Sequence, residues 1–386
     1  MSRRFRLGVL GAGRGAYLAT LFQAHEDVEV VAGCDFNPVK LAGFRERFPD
    51  ARTCADYDDL LRDDVDVVLV ASYCPDHAPH AIAALEAGKH VFSEVTAFHT
   101  PAEGVALVEA VERSGRQYML AENFCYLREA QEMRRLFGNG TLGEFLYGEC
   151  EYVHDIRPLM VREPDGSYHW RVWLPPFYYN THSLGPILEI TGARPVSVIG
   201  QGVEGRIAGS SNPWDFCVAL VRLDKGGLVR VLLSFSAIRE PSSIWYCTYG
   251  SGGAAENDRW QTVWGVSDLT VYHEGDPEAQ FYRTYRPRFA EHADKAARAG
   301  HGGGDFFTIN GFVESLRDGA PSPIDVYRAC DFTLPGILAY RSAVEGGQSL
   351  EVPDFRDPAA RERYRQDDFR CPRDEAVRVD QFPSNP

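Results

Sequence analysis

A glycine-rich stretch near the N-terminus decides the fold, because residues 6–16 read RLGVLGAGRGA. The apolar residues at its start predict a strand that runs directly into a helix. Gly11 permits a tight turn, Gly13 lets a pyrophosphate approach the backbone, and Ala16 allows the helix to pack closely on the strand. The amide groups at the helix N-terminus then favour an anion. We therefore predict a dinucleotide-binding loop with these cofactor contacts: Gly11, Gly13, Arg14 and Gly15.

Asp35 ends the next apolar run, about twenty residues after this loop. An acid at this position accepts hydrogen bonds from the ribose hydroxyls of the adenosine half and repels a 2′-phosphate. We therefore predict NAD, rather than NADP, as the cofactor. The other interpretation of the same residues is a structural glycine turn, with Asp35 as the cap of the following helix.

The pattern of apolar runs changes near residue 125. Before it, strand candidates alternate with helical patterns, which is typical of a parallel sheet with helices on both faces. After it, strand candidates follow one another and the helices are set apart. This favours an α+β domain built on one large, mostly antiparallel open sheet. We predict an NAD-binding Rossmann domain over residues 1–124 and a substrate-binding and oligomerisation domain over residues 125–386.

The composition limits which partners the protein can bind and in which cell compartment it works. The 386 residues carry a net charge of −15, which argues against nucleic acid as a partner. No apolar run is long enough to cross a membrane. The nine cysteines form no C-x-x-C pair, so we expect reduced thiols in a cytoplasmic protein. No motif has the ligand spacing of a metal site, and we predict no metal.

Five further motifs carry a family resemblance. They are Ser72-Tyr73-Cys74-Pro75-Asp76-His77, Gly88-Lys89-His90-Val91-Phe92-Ser93-Glu94, Ala121-Glu122-Asn123, Gly143-Glu144 and Thr181-His182-Ser183-Leu184-Gly185. Together with the glycine loop and the two-part layout, they make nearly the whole chain similar to the glucose–fructose oxidoreductase/inositol dehydrogenase (Gfo/Idh/MocA) family. The resemblance implies that His182 is the catalytic-site histidine. It also implies four residues along the cofactor: Ser72, His77, Glu94 and Asn123.

Two departures from the family pattern concern the proton chemistry. The family's E-K-P motif reads Glu94-Val95-Thr96 here, so a valine replaces the lysine that the family assigns to the substrate hydroxyl and the nicotinamide ribose. Tyr178 stands where the family has an aspartate, one helical turn before the histidine. The resemblance therefore implies one of two things. Either the proton transfer differs from that of inositol-type dehydrogenases, or the protein carries out no such proton transfer.

One branch of the family is similar in these same respects. The NAD-dependent glycosidases, such as the N-acetylgalactosaminidase type, also have valine after the glutamate. Their tyrosine–threonine–histidine–x–x–glycine–proline stretch is similar to 179–186, and their histidine–glycine–glycine–x–aspartate segment is similar to 301–305. In that chemistry NAD oxidises a sugar hydroxyl at C3, and the ketone acidifies C2–H. The aglycone is then eliminated, water adds, and the ketone is reduced again.

Oxidation of a secondary alcohol needs a base for the hydroxyl proton. His182 fits by residue type and by its matched position, and Tyr179 could relay the proton with help, because a free tyrosine has a pKa of about 10. Other polar and aromatic residues suit a polyhydroxylated ring or an anionic group. We predict these substrate contacts: His154, Asp155, His169, Trp170, Arg171, Tyr178, His301 and Asp305. Structural interpretations stay open for them: a buried histidine, a polar loop, a tryptophan anchor, or a helix N-cap at Asp305.

The sequence leaves three functions open. The first is an NAD(H)-dependent oxidoreductase that acts by hydride transfer on a secondary alcohol of a sugar, sugar derivative or cyclitol. The second is a glycoside hydrolase that recycles bound NAD through oxidation, elimination, water addition and reduction. The third is a non-catalytic NAD-binding sensor, against which the number of polar site residues argues. The resemblance also implies a homo-oligomer, a dimer or tetramer, because an exposed apolar sheet face needs cover.

Overall fold

The chain forms two β-sheets, which are connected and covered by α-helices. The computed structural model describes residues 4–62, 64–162, 166, 168–260, 267–278 and 281–372. Its strands are β1 (Phe5–Leu10), β2 (Val28–Cys34), β3 (Arg52–Cys54), β4 (Val67–Val70), β5 (His90–Ser93), β6 (Tyr118–Leu120), β7 (Phe145–Val153), β8 (Pro195–Glu204), β9 (Trp214–Leu223), β10 (Leu228–Ser234), β11 (Ser243–Gly250), β12 (Gly253–Asn257), β13 (Leu269–His273), β14 (Arg283–Tyr285) and β15 (Leu350–Glu351). Its α-helices are α1 (Arg14–Gln23), α2 (Pro38–Arg47), α3 (Tyr57–Leu60), α4 (His77–Glu86), α5 (Pro101–Ser114), α6 (Arg128–Gly138), α7 (Thr181–Thr191), α8 (Ala293–Ala296), α9 (Gly304–Asp318), α10 (Val326–Val344) and α11 (Pro358–Tyr364).

The chain forms two units, and neither is continuous in sequence. The N-terminal unit runs to Glu122 and also contains Asp305–Cys330 and Phe355–Asp368. The C-terminal unit contains Asn123–Gly304, Asp331–Asp354 and the segment from Phe369. Two segments from the later part of the chain thus belong to the N-terminal unit, and the predicted domain boundary at residue 124 stays a prediction.

Six parallel strands form the sheet of the N-terminal unit, in the order β3-β2-β1-β4-β5-β6. All four residues of β4 are buried, as expected for a parallel strand covered on both faces. The strand order reverses between β1 and β4, and the carboxyl ends of the strands at such a reversal form the crevice in which open α/β sheets bind ligands. The predicted Rossmann fold is confirmed.

Aromatic packing explains why α9 belongs to the N-terminal unit. The Phe312 ring lies 5.3 Å from that of Phe92 on β5 and 6.4 Å from that of Phe22 on α1, measured between centroids. The Leu120 amide also donates to the Ile324 carbonyl at 3.0 Å. The apolar periodicity of α9 predicts a helix with a buried face, but it carries no information about which sheet that face covers.

Nine strands form the sheet of the C-terminal unit, in the order β14-β13-β12-β11-β7-β10-β9-β8-β15. Neighbours are antiparallel except β7 and β10, which run parallel. One face is covered by helices: the Tyr246 hydroxyl on β11 reaches the backbone of α7, and a Cβ on Gly200 of β8 would lie 1.9 Å from the Ala339 carbonyl oxygen of α10. The predicted large, mostly antiparallel sheet is confirmed.

Candidate active site

The glycine loop joins β1 to α1 with the geometry its sequence predicts. Gly11 has φ +92°, and a Cβ there would lie 2.2 Å from the Ala71 carbonyl oxygen. A Cβ on Gly15 would lie 2.8 Å from a Val9 methyl, so α1 starts tightly against β1. Gly13, the N-cap of α1, has open space where its side chain would be, and no side chain caps the helix. The first amides of α1 are therefore available to an anion such as a pyrophosphate.

Asp35 follows β2 and holds this loop as well as the next helix. One carboxylate oxygen accepts from the Ala12 amide and the other from the Asn37 amide, each at 2.8 Å. A carboxylate oxygen can accept more than one hydrogen bond, so both retain capacity for ribose hydroxyls. Sequence reasoning missed the contact with Ala12, which ties the ribose-binding position to the pyrophosphate-binding loop.

Arg14 links the glycine loop to two carboxylates of the same unit. Its Nε lies 3.0 Å from Oε1 of Glu94, and its two terminal nitrogens lie 3.0 and 2.6 Å from the two oxygens of Asp305. The Asp305 side chain is 1% exposed. We predicted Asp305 as a substrate contact, but both of its oxygens bind Arg14, because the fork of a guanidinium matches a carboxylate.

Ser72 and His77 follow β4 at the same edge of the sheet. The Ser72 hydroxyl lies 2.9 Å from Nδ1 of His80. His77 is buried, and its two ring nitrogens face the backbone carbonyls of Thr96 and Ser72 at 2.8 and 3.0 Å. His77 therefore lies between the loops that follow β4 and β5, and its predicted contact with the cofactor stays a prediction.

His182 lies in an aromatic cluster of the C-terminal unit. Its ring stacks on Phe124 at 4.1 Å between centroids and 15° between planes, and Tyr179 meets it edge-on at 4.9 Å. Tyr152 of β7 lies 5.3 Å away. Only 7% of His182 is exposed, so surrounding aromatic rings fix its orientation. The structure thus brings the two predicted proton-handling residues, His182 and Tyr179, into contact.

A proline in α7 explains the backbone anchor of His182. Pro186 lacks the amide that would donate to the carbonyl four residues earlier, which belongs to His182. The hydroxyl of Tyr246 donates to that carbonyl instead. A residue on β11 therefore holds the helix turn that carries the imidazole.

Further predicted substrate contacts extend this cluster. Trp170 packs 5.4 Å from Tyr179 and 5.4 Å from His169. The Arg171 guanidinium carbon lies 4.1 Å from the centre of the Trp170 ring. Across residues 4–162 and 168–372, as far as the structure describes them, no carboxylate pairs with Arg171. Burial and the nearby charge of Arg171 lower the pKa of His154, which keeps that imidazole neutral near pH 7.

Two predicted substrate contacts lie elsewhere in this unit. Tyr178 is fully buried, its hydroxyl accepts from the Cys371 amide at 3.0 Å, and its ring packs against Tyr340. Asp155 pairs with Arg157 at 2.6 Å. Consecutive residues of a short helical turn point in different directions, so the side chains of Tyr178 and Tyr179 contact different residues.

Two family models match the chain. The model of the oxidoreductase family with an NAD-binding Rossmann fold (GFO_IDH_MocA) covers residues 5–122, and that of the glycosyl hydrolase 109 C-terminal domain covers residues 214–361. The predicted resemblance to the Gfo/Idh/MocA oxidoreductase family is confirmed. It is an NAD-dependent enzyme, which confirms the predicted cofactor and enzyme class.

Relatives along nearly the whole chain carry glycosidase names. A glycosyl hydrolase family 109 protein of Stenotrophomonas maltophilia is 27% identical over 94% of this chain and 91% of the relative. An α-N-acetylgalactosaminidase of Shewanella oneidensis is 28% identical over 91% of this chain and 84% of the relative.

Solved structures with the same fold carry oxidoreductase names. A levoglucosan dehydrogenase in complex with NADH and levoglucosan is 19% identical, with a TM-score of 0.77 over 91% of this chain and 100% of that chain. An oxidoreductase domain protein of Kribbella flavida is 20% identical, with a TM-score of 0.76 and the same coverage. At these identities the likeness establishes the fold alone.

The remaining predicted Gfo/Idh/MocA site residues fall in the C-terminal unit. Asn123 begins the turn after β6 and is buried, and a Cβ on Gly304 would lie 2.4 Å from its carbonyl oxygen. His301 has φ +50°, and its ring lies 5.8 Å from that of Phe124. Phe124, Tyr152 and Tyr246 were not predicted. The alternation of β7 places Tyr152 on the helix-covered face, but nothing in the sequence pairs it with α7.

No membrane-spanning helix and no metal-binding cluster are found in the described part of the chain.

Proposed function

We propose that the enzyme transfers a hydride between NAD and a secondary alcohol of a carbohydrate or cyclitol, with His182 and Tyr179 handling the hydroxyl proton. The observation that carries this proposal is the contact between these two side chains inside an aromatic cluster. With Val95 in the position of the family's lysine, they are the proton-transfer groups that support the reaction. Aromatic faces suit the C–H surface of a sugar ring, and the polar groups between them suit its hydroxyls.

The residues that would hold NAD lie at the glycine loop and the strand ends beside it. The backbone at Gly13 would receive the pyrophosphate, Asp35 the adenosine ribose, and Ser72 and Glu94 the nicotinamide half. When bound, NAD supplies the nicotinamide carbon that accepts or returns the hydride.

The polar rim of the cluster favours a substrate with an anionic substituent. Arg171 stacks on Trp170 and keeps donors for a carboxylate or phosphate group. His154 stays neutral near pH 7, because burial and the charge of Arg171 lower its pKa, so it can accept a hydrogen bond from a sugar hydroxyl.

A second candidate is the redox-neutral hydrolysis of a glycoside. It is favoured by the match of residues 214–361 to the glycosyl hydrolase 109 C-terminal domain and by the names of the full-length relatives. In this reaction the same base would deprotonate the hydroxyl, and the neighbouring carbon would lose its proton as the aglycone leaves. Water would then add, and the returned hydride would restore the alcohol.

Product analysis on one panel separates the two candidates. The protein is mixed with free sugars and cyclitols and with the corresponding aryl glycosides, including uronates. Accumulation of NADH with a free sugar supports the oxidoreductase, and aglycone release without net NADH supports the hydrolase. If His182→Ala leaves both activities unchanged, the assignment of the site is wrong.

We also infer a homo-oligomer built on the open face of the large sheet. Large apolar side chains on the face opposite α7 are between 39% and 49% exposed: Val203, Leu220, Tyr249 and Tyr272. Between them on the same face, Arg230 of β10 pairs with Glu149 of β7. Exposed apolar side chains on an open sheet face are commonly covered by another subunit. Light scattering on the purified protein would give a dimer or tetramer mass, and a monomer mass at micromolar concentration would refute the inference.

Reduced thiols support a cytoplasmic location. All nine cysteines are free, and eight of them are buried. Such thiols persist in a reducing compartment. Titration of the denatured protein, purified without reductant, should find nine thiols, and fewer would count against this location.

A further inference from the structure

The ion network of Arg14 crosses the cofactor crevice of the N-terminal unit. Arg14 is the first residue of α1, directly after Gly13, and Glu94 is the residue after β5. In the sheet, β4 lies between β1 and β5. The guanidinium therefore passes over the carboxyl end of β4, beside the point where the strand order reverses. Dinucleotides bind in this crevice in α/β sheets.

The network is poorly accessible to water, which distinguishes it from an ordinary surface ion pair. The exposed fraction is 32% for the Arg14 side chain, 16% for Glu94 and 1% for Asp305. Burial lowers the pKa of Arg14, but Glu94 and Asp305 raise it by more, so the guanidinium stays charged at every pH of interest. Opening the network would leave a buried Asp305 carboxylate without its cation, which is costly.

We propose that Arg14, anchored on Asp305 and Glu94, is a strap that gates entry and exit of NAD. The dinucleotide passes the crevice only when the guanidinium releases its carboxylates. Arg14 is thus a positioning and gating residue. Asp305 has the role of its anchor, which does not involve the substrate. The proposal rests on the proposed binding of NAD and concerns how fast the cofactor exchanges, which sets the pace of a net oxidation and must be slow in a redox-neutral cycle.

A gate has a kinetic signature that a direct ligand lacks. A barrier that must open in both directions slows association and dissociation alike and changes the affinity little. A side chain that only contacts the bound cofactor slows dissociation and leaves association unchanged.

The test is stopped-flow fluorescence of NADH binding to the full-length protein and to Asp305→Asn, which keeps the shape of the anchor and removes its charge. We expect the association and dissociation rate constants both to rise about tenfold or more, with Kd changed by less than about threefold. Arg14→Lys keeps the charge but loses the fork, so its rate constants should lie between those of the parent and Arg14→Met.

The matched control is Asp66→Asn. Asp66 makes the same two-point contact with Arg6, at 3.1 and 3.2 Å, at the amino ends of β1 and β4 in the same unit. Its rate constants should equal those of the parent, and thermal melts of all variants should confirm folding.

Two outcomes overturn the proposal. Unchanged rate constants in Asp305→Asn would mean that the network does not gate the crevice. Faster dissociation with unchanged association would mean that Arg14 acts only as the cofactor contact that the sequence predicts and does not gate the crevice. The measurement uses NADH without any sugar, so it is independent of the proposed reaction. Altered rate constants in a protein that acts on no carbohydrate would refute the proposed function and leave the gate standing.

Discussion

Tyr178 and Tyr179 show at the scale of single residues how neighbours acquire different roles. Tyr179 meets His182 edge-on at 4.9 Å, whereas the Tyr178 hydroxyl accepts from the Cys371 amide in the core. Substitution by phenylalanine removes only the hydroxyl oxygen from each of these side chains. Comparing the two variants therefore separates an effect on proton transfer from an effect on packing.

We predict that Tyr179→Phe lowers kcat by about tenfold to a hundredfold, because it removes a group that relays the hydroxyl proton. Tyr178→Phe should leave kcat within about twofold and lower only the melting temperature, since it removes one buried hydrogen bond. Steady-state kinetics of both variants checks this. Equal effects of the two substitutions on kcat would contradict the assignment of Tyr179.

Helix α7 shows, at the scale of an element, how a proline inside a helix is accommodated beside a candidate catalytic residue. Pro186 cannot donate the usual helical hydrogen bond to the His182 carbonyl, and the Tyr246 hydroxyl of β11 donates to that carbonyl. The anchor therefore couples the orientation of the imidazole to the large sheet.

We predict that Tyr246→Phe lowers kcat about tenfold with little change in NAD affinity, because the turn carrying His182 loses its anchor. Adding Pro186→Ala restores an amide donor to that carbonyl and should recover most of the loss. The measurement is kcat and KM for the single and double variants. Failure of the double variant to recover would show that Tyr246 acts by another route.

Helix α6 carries two glutamates whose ionisation affects stability in opposite directions. Burial raises the pKa of Glu129 to about 7, so the folded protein holds this proton more tightly than the unfolded chain does. The contribution of Glu129 to stability is therefore lost as pH rises from about 4.5 through about 7. Hydrogen bonds from Arg135 lower the pKa of Glu132, so its contribution is present at neutral pH and is lost as pH falls.

We predict that Glu129→Gln raises the free energy of unfolding at about pH 8, relative to about pH 4, by about 3 kcal/mol. Glu132→Gln should show the opposite sign, with its cost at high pH only. Urea denaturation across this range measures both. A pH-independent effect of Glu129→Gln would contradict a buried, protonated carboxyl.

Much of the fold follows from local sequence patterns, and much of the site does not. The glycine loop and Asp35 are specified within about thirty residues by turn geometry, so the sequence predicted them. Asp305 lies 291 residues from Arg14, and no local pattern joins them. The stacking of Phe124 on His182 and the donor from Tyr246 also arise only when the helices and strands pack. The packing of α9 on the N-terminal sheet is likewise not encoded locally, because an apolar helix face does not specify which sheet it covers.

At the scale of the whole molecule, the open face of the large sheet is the surface that an oligomer would use. Leu220 lies on this face, on β9 between β8 and β10. Leu220→Glu places a charge where another subunit would exclude water, and burial of a charge is costly.

We predict that Leu220→Glu shifts the protein from an oligomer to a monomer without unfolding it. Val39→Glu, at an exposed position of α2 in the N-terminal unit, is the control that adds the same charge and should leave the mass unchanged. Light scattering and circular dichroism check both variants. An oligomer that survives Leu220→Glu would place its interface elsewhere.

Hydride transfer to NAD should depend on His182, whether the net reaction is oxidation or hydrolysis. Rapid mixing of the NAD-loaded enzyme with the carbohydrate panel, followed by NADH absorbance, measures this dependence. We expect an absorbance rise within the first turnover for at least one substrate, lasting for an oxidoreductase and transient for a hydrolase. The rise should be lost in His182→Ala at unchanged NAD occupancy. No rise with any substrate, or an equal rise in His182→Ala, would contradict it.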